Sequence, residues 1–251
     1  MAAKVRLDLH LVEQGHAASR DRAQRLIRAG QVLVDDQVVD KPGTRIDPGS
    51  ALRLKVADHP YVGRGGLKLH GALEDFELEV AGASCLDVGA STGGFTDCLL
   101  QRGARQVIAV DVGTNQLAWK LRADERVIVW EQTDIRSVEP DSLAPLGGPP
   151  DLVVVDTSFI SLHLVLPPVI RLMGPQSALL ALVKPQFEVG KAQVGRGGLV
   201  DDDGLREQAV ASVRTRAEDL GLAVRGSTDS RIAGARAGNR EVFLLAGFSD
   251  G

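Results

Sequence analysis

Residues 86–95 read Leu86-Asp87-Val88-Gly89-Ala90-Ser91-Thr92-Gly93-Gly94-Phe95, an apolar run that ends on an acid and breaks into a glycine-rich turn. Glycines let a ligand approach the backbone closely, and a helix opening behind such a turn offers free N–H groups. Around this stretch, short apolar runs alternate with helix-length spacers: 85–88, 107–110, 127–130, 152–155 and 179–183 are the strand candidates. A helix over 67–76 precedes them. A helix over 205–220 and two further strands, near 223–224 and 242–246, follow. The pattern is that of an α/β domain, doubly wound and Rossmann-like, with a mostly parallel sheet whose ligands sit beyond the carboxyl ends of the strands.

Three chemistries use a turn of this kind. A dinucleotide fingerprint would be G-x-G-x-x-G; Gly89, Gly94 and the acid Asp111 suit it, but Ser91 takes the place of the middle glycine. Gly89-Ala90-Ser91-Thr92-Gly93 also satisfies a hydrolase nucleophile elbow, with Ser91, Asp134 and His163 in the required order. That fold needs sheet and an oxyanion loop before its elbow, whereas here the first strand of the domain already carries it. The third use is binding of S-adenosylmethionine. Asp87 ends the first strand and would face the methionine end of that cofactor, Asp111 ends the second and suits the ribose hydroxyls, and Asp134 follows the third and suits the adenine amino edge. Acids at three successive strand ends favour this reading, with Gly89, Ala90, Ser91, Gly93, Gly94 and Phe95 as the cradle. Asp156, ending the fourth strand, extends the series to where a substrate should lie.

Basic residues complete the edge. Lys184 leaves the apolar fifth strand in Lys184-Pro185-Gln186-Phe187-Glu188, Lys68 stands just before the first strand, and Glu241 opens the last. Taken singly, Lys68 and Glu241 read as surface charges. The segment 186–203 holds Gly190, Gly195, Gly197 and Gly198 with Lys191 and Arg196, and is expected to be a mobile substrate loop.

The front of the chain differs in charge and pattern. Residues 1–57 hold ten Lys and Arg against seven Asp and Glu, a net of +3, so that residues 58–251 carry −7 within a total of −4. Leu7, Leu9, Leu11 and Val12 suggest a helix ending near Gly15, and Ser19 is a candidate N-cap for a second helix that stops at Gly30. A hairpin over 32–39 turning at Asp35-Asp36, and a third strand at 52–54, complete a small α+β domain. On the second helix Ala23, Leu26 and Ile27 share one side, while Arg20, Arg22, Arg25 and Arg28 occupy the other. With Arg6 they form a candidate phosphate-tracking surface. The division expected is 1–57 for this domain, 58–66 as a glycine-rich linker and 67–251 for the α/β domain.

Other classes of function are disfavoured. The longest fully apolar run, 178–183, is too short to cross a bilayer, and residues 1–4 lead into a charged stretch instead of a signal-peptide core, so the expected compartment is the cytosol. The two cysteines, Cys85 and Cys98, lack the paired spacing of a zinc site, and no metal is expected.

Two resemblances sharpen these readings. Residues 19–34, from Ser19-Arg20-Asp21-Arg22 to Val32-Leu33-Val34, resemble the core motif of the small RNA-binding domain shared by a small-subunit ribosomal protein, many pseudouridine synthases and tyrosyl-tRNA synthetases. Lys68, Asp156, Lys184 and Glu241 resemble, in order, the Lys-Asp-Lys-Glu pattern of FtsJ-like RNA 2′-O-methyltransferases. Together with Tyr61-Val62-Gly63-Arg64-Gly65-Gly66, the turn 87–95, Asp156-Thr157-Ser158-Phe159-Ile160-Ser161 and 184–188, they make the chain similar to the TlyA family, whose members are often labelled hemolysins. The resemblance implies 2′-O-methylation of cytidine in ribosomal RNA, with S-adenosylmethionine as cofactor and ribosomal RNA or ribosomal subunits as partner. It also implies that this methylation can sensitise ribosomes to peptide antibiotics of the capreomycin type.

A ribose hydroxyl is a poor nucleophile until deprotonated, and transfer from a sulfonium methyl demands alignment more than covalent catalysis. Lys184 is therefore the expected centre. Burial and the proximity of Lys68 would favour its neutral amine, and Asp156 and Glu241 its ammonium, which leaves base and electrostatic stabiliser both open. Three rivals compete with this reading: a membrane-lysing protein, an RNA-binding protein with an inactive methyltransferase domain, and a base methyltransferase. The last would usually bring a catalytic cysteine or an Asn-Pro-Pro-aromatic turn where Asp156-Thr157-Ser158-Phe159 stands.

Overall fold

The computed structural model describes residues 4–17, 19–54, 59–234 and 237–249. The chain divides into two compact units, Met1–Pro60 and Tyr61–Gly251, each with its own apolar core.

The first unit runs β1 (Val5–Arg6), α1 (Leu7–Glu13), α2 (Arg20–Arg28), β2 (Val32–Val34), β3 (Gln37–Val38), β4 (Arg45–Ile46) and β5 (Leu52–Leu54). Ser19 caps α2, accepting a hydrogen bond from the backbone N–H of Arg22, and its removal in Ser19→Ala should cost about 1 kcal/mol of stability in denaturant unfolding. Asp35 and Asp36 both take positive φ, 48° and 62°, the conformation a two-residue hairpin turn requires. Strands pair antiparallel as β3-β2-β5 and as β1-β4. The β1-β4 pair is absent from the sequence reading because two residues are too few to show alternation. Leu7, Leu11, Ala23, Ile27 and Val32 close the core.

Beneath the arginine face lies a carboxylate that sequence did not single out. Asp8 is fully buried and accepts hydrogen bonds from Arg6 Nε and Nη2, from Arg20 Nε and from Gln24 Nε2, all at 2.9–3.0 Å. The Arg6 guanidinium, against burial and with help from Gln24 and Arg20, holds its carboxyl well below the usual carboxylate range. Arg20, with Gln24, thus helps hold α2 against α1, and Arg6 is bound locally to Asp8. Arg25 pairs with Asp21 at the surface, and Arg28 reaches Gln24.

The second unit contains α3 (Gly65–Asp75), β6 (Ser84–Val88), α4 (Gly94–Gln101), β7 (Gln106–Val110), α5 (Trp119–Arg122), β8 (Val127–Trp130), β9 (Leu152–Val155), α6 (Leu162–Arg171), β10 (Ala178–Val183), α7 (Pro185–Glu188), α8 (Asp203–Asp219), β11 (Ala223–Asp229) and β12 (Val242–Gly247). The sheet order is β11-β12-β10-β9-β6-β7-β8. Strands β10, β9, β6, β7 and β8 are parallel, and β12 runs against both of its neighbours. Strand β6 is buried at every position and β9 likewise, as expected of strands covered on both faces. Side chains of α3 and α4 such as Leu69, Leu73 and Leu99 cover one face. Val165 and Val169 of α6 with Val213 of α8 cover the other. Strand β11 is longer than expected because its outer positions, Arg225, Ser227 and Asp229 among them, carry no apolar alternation.

The expected linker is only partly a connection. Ala57 and Asp58, at the expected boundary, lie outside the described residues, and from Tyr61 onward the chain belongs to the second unit. Tyr61 is buried in its core; Val62 N–H donates to Asp97 Oδ2 at 2.7 Å. A Cβ on Gly66 would lie 2.3 Å from Tyr61 Cγ, and one on Gly94 would lie 2.9 Å from the Gly66 nitrogen. The lapse of hydrophobic period here reflects close packing of backbone on backbone, and α3 accordingly starts at Gly65, within the expected linker.

Candidate active site

Strand β6 lies between β7 and β9, so the turn that follows it opens at the point where the sheet order reverses, the usual ligand crevice of such sheets. The turn is shaped by contacts that exclude side chains. Gly89 has φ +87°, and a Cβ there would meet the Asp156 carbonyl oxygen at 2.7 Å; Gly93 has φ +93°, and a Cβ there would meet Leu121 Cδ1 at 2.2 Å. Ser91, at the position where a dinucleotide fingerprint needs glycine, takes φ 49° and donates its N–H to Asp111 Oδ2 at 2.7 Å.

Three adjoining cavities open at this edge. The largest, about 510 Å³, is lined by Gly89 and Ser91 of the turn, by Asp111, Val112, Asp134 and Ile135 beyond β7 and β8, and by 156–160. A smaller one of about 190 Å³ lies between Gly65, residues 89–92, Gly94, Phe95, Asp156, Ser158 and Lys184. A third, about 360 Å³, is walled by Lys68, Lys184 and Glu241, by Ser158, Phe159 and Phe187, and by Gly197, Gly198 and Asn239.

Of the residues expected at a cofactor, Gly89, Ala90, Ser91, Gly94, Phe95, Asp111 and Asp134 line these cavities, whereas Asp87 and Gly93 do not. Asp87 is fully buried behind the turn, where the Thr96 hydroxyl donates to Oδ2 at 2.6 Å and Oδ1 has no hydrogen-bond partner among the described residues. Burial pushes its carboxyl up to about 7. Gly93 packs on Leu117 and Leu121. Asp111 also accepts from Gly113 N–H at 2.7 Å, so two backbone amides fix its carboxylate on the cavity wall. Asp134 caps the turn at Ile135–Ser137 and pairs with Arg136, whose hydrogen bonds hold it below the ordinary aspartate range. It is both a cap and a wall residue.

The four residues of the Lys-Asp-Lys-Glu pattern meet as two ion pairs. Lys184 Nζ lies 2.6 Å from Asp156 Oδ1, and Lys68 pairs with Glu241. Lys68, Lys184 and Glu241 are all under a tenth exposed, so these are not the solvated surface charges that Lys68 and Glu241 suggested singly. Strand register explains the meeting. Val183 of β10 pairs with Val242 of β12, which sets Lys184 and Glu241, one step beyond, at the same edge of the sheet. Only the antiparallel sense of β12 lets a residue that opens a strand stand where the parallel strands end.

Other groups at this edge escaped the sequence reading because their roles depend on tertiary partners. Glu131 accepts from the N–H groups of Asn115, Gln116 and Leu117 and from Arg122; the Arg122 contact comes first in lowering its carboxyl to about 2. It shapes the loop beside Asp111. Buried Asn239 accepts from Val200 N–H at 2.8 Å and donates to the Gly198 carbonyl at 2.9 Å. The segment expected as a substrate loop is therefore tied to the strand opening at Glu241, and it contains α7 and two short 3-10 turns. Phe159, three-quarters exposed with φ 66°, packs against Phe187 with ring centroids 5.4 Å apart. Ser158 Oγ accepts from Lys184 Nζ at 2.9 Å.

Two rival chemistries lose their geometry here. The Ser91 hydroxyl bonds Gln116, Asp134 pairs with Arg136 and the His163 ring meets Ser212, so these three residues form no hydrolase triad. Both thiols are buried and line none of the three cavities; burial pushes Cys85 up to about 12 and Cys98 to about 11, which leaves no thiolate nucleophile.

Comparison with known proteins agrees with this geometry. Residues 61–248 match the FtsJ-like methyltransferase family, and residues 5–52 match the S4 domain. The 16S/23S rRNA (cytidine-2′-O)-methyltransferase TlyA of Mycobacterium tuberculosis is 48% identical over 97% of this chain and 90% of its own length. The chain belongs to the TlyA family of FtsJ-like methyltransferases. Hemolysin A of Brachyspira hyodysenteriae is 38% identical over 94% of this chain and 97% of its own length. A solved structure from Streptococcus thermophilus, described as a hemolysin, matches with a TM-score of 0.76 at 43% identity, covering 100% of this chain and 90% of that one. Family membership makes S-adenosylmethionine the cofactor.

Proposed function

We propose that this chain methylates the ribose 2′-hydroxyl of cytidine in ribosomal RNA, using S-adenosylmethionine as methyl donor. The observation that carries the reading is the paired set Lys184–Asp156 and Lys68–Glu241, three of them buried and Asp156 half-buried, at the sheet edge where the cavity beside the glycine turn meets a second cavity. The largest cavity suits the donor's adenosyl part. Val112 and Ile135 offer apolar contact for a purine, Asp111 presents a fixed carboxylate for ribose hydroxyls, and Asp134 stands at the far edge. Gly89, Ala90, Ser91, Gly94 and Phe95 would surround the methionine end, with Asp87 and Gly93 shaping the turn from behind. When bound, the donor supplies a methyl group on a sulfonium, a good electrophile that needs no covalent enzyme intermediate. Lys184 would take the proton of the attacking hydroxyl as a neutral amine, or as the ammonium would stabilise the oxygen's developing negative charge while the proton passes to solvent; Asp156 positions Lys184, and Glu241 holds Lys68 beside them. The freed oxygen would then accept the methyl group that the sulfonium supplies.

The S4 unit is assigned to RNA affinity, with Arg22, Arg25 and Arg28 as the phosphate contacts not tied to buried Asp8, and Arg6 and Arg20 serving both Asp8 and RNA. A ribosomal RNA substrate supports a cytosolic location. Among the described residues no helix is long and apolar enough to cross a membrane, so the hemolysin names of relatives gain no support from a spanning helix. The deciding experiment is mass spectrometry of ribosomal RNA nucleosides from cells with and without the protein. The expected difference is loss of 2′-O-methylcytidine without the protein; an unchanged ribose pattern, or a missing base methylation instead, would overturn the reading.

Two further outcomes are expected. Asp111→Ala should remove a charged acceptor worth about 1.5–3 kcal/mol, weakening S-adenosylmethionine binding in calorimetry by roughly 10- to 100-fold. Replacing Arg22, Arg25 and Arg28 together by Gln should make the slope of log affinity for RNA against log salt shallower by about 2 to 3, roughly one for each phosphate no longer neutralised. Cofactor affinity should not change. An unaltered slope would remove the S4 unit from phosphate contact.

A further inference from the structure

We infer that Ser158 is a positioning residue for methyl transfer, its hydroxyl fixing the orientation of the Lys184 amine where the cofactor and substrate cavities meet. The assignment rests on the proposed 2′-O-methyl transfer and adds a residue to it.

Two observations carry it. The first is the hydrogen-bonding of Lys184. Its Nζ lies 2.6 Å from Asp156 Oδ1 and donates to Ser158 Oγ at 2.9 Å. The contact with Asp156 is an ion pair in which Oδ1 has no hydrogen-bond partner among the described residues, so it holds the amine by charge without directing its N–H groups. The Ser158 hydroxyl is the acceptor that gives the head group a direction.

The second observation is place. Ser158 lines the adenosyl-side cavity, the small cavity beside the glycine turn and the cavity of Lys68 and Glu241, and among the described residues it alone is shared by all three walls. The donor methyl and the acceptor oxygen have to meet where these spaces join. A hydroxyl also suits the task better than a second carboxylate, since it accepts a hydrogen bond without adding another negative charge beside Nζ.

The test compares Ser158→Ala with Ser158→Thr in the full chain, using ribosomal subunits and S-adenosylmethionine as substrates. Misorientation at a reacting centre costs up to about 100-fold, so Ser158→Ala should lower kcat by roughly 10- to 100-fold. The KM for S-adenosylmethionine and the affinity for RNA should stay within about twofold of wild type, as for an interaction used only in the transition state. Ser158→Thr keeps the hydroxyl and should recover most of kcat. The assignment is overturned by a wild-type kcat in Ser158→Ala, by equal loss in both variants, or by a loss expressed as a raised KM for the cofactor. Nucleoside analysis of the wild-type product separates the two layers. A base-methylated product defeats the 2′-O reading itself, whereas 2′-O-methylcytidine with a fully active Ser158→Ala defeats only the role given to Ser158.

Discussion

Lys184→Ala should bind S-adenosylmethionine and ribosomal RNA and yet transfer almost no methyl. The side chain lies on the wall of the cavity of Lys68 and Glu241 and of the small cavity beside the turn, but not on the wall of the large one. Its removal should therefore leave the adenosyl contacts intact and cofactor affinity within about threefold, while general acid–base catalysis worth roughly 100- to 10,000-fold disappears from kcat. Lys184→Ala also leaves Asp156 without its cation, so Asp156→Ala in the same background should add little to the loss, because the two act as one unit. Lys184→Arg should not restore turnover. A guanidinium remains charged and presents a planar fork where the site holds one compact nitrogen between Asp156 and Ser158. Single-turnover assays with calorimetry for both ligands check this directly. Near-normal turnover in Lys184→Ala would keep the reaction and displace the residue at its centre.

The second large effect belongs to the substrate. An RNA with one 2′-deoxy nucleotide at the target cytidine keeps every phosphate and the whole base, so its affinity, which rests chiefly on backbone charge, should hold within about twofold of the all-ribose RNA. Its methylation should nevertheless fall to background, since the only atom that Lys184 could serve is gone. Binding and transfer would thus come apart in the substrate as they do in the enzyme variant. Methyl incorporation into the deoxy RNA, traced to the base by mass spectrometry, would refute 2′-O transfer and restore the base-methyltransferase alternative.

The doubly wound fold was legible because its signals are local. Fully buried parallel strands must be apolar at nearly every position, so 85–88 and 152–155 announce themselves, and a strand-to-helix turn that meets backbone at under 3 Å must use glycine, as at Gly89 and Gly94. The same local logic misled at 61–66, where glycines read as a linker turned out to be packed against Tyr61 and Gly94. Chain spacing could not tell glycine that bends from glycine that makes room.

By itself the sequence determined the order of the main strands of the α/β domain, the basic S4-like front, the glycine turn, and the four charged residues that the FtsJ-like pattern singles out. Only the tertiary structure decided which of them share a wall. It set Asp87 behind the turn against Thr96, tied Arg6 and Arg20 to buried Asp8, and closed Lys184 on Asp156 and Ser158. The physical reason is that composition and periodicity record how each residue meets its near neighbours and solvent, whereas the ion pair between Lys68 on α3 and Glu241 depends on how that helix packs on the sheet, and the placing of Glu241 beside Lys184 on strand direction and register. In this sheet the reversal of β12 brings the start of one strand beside the end of another.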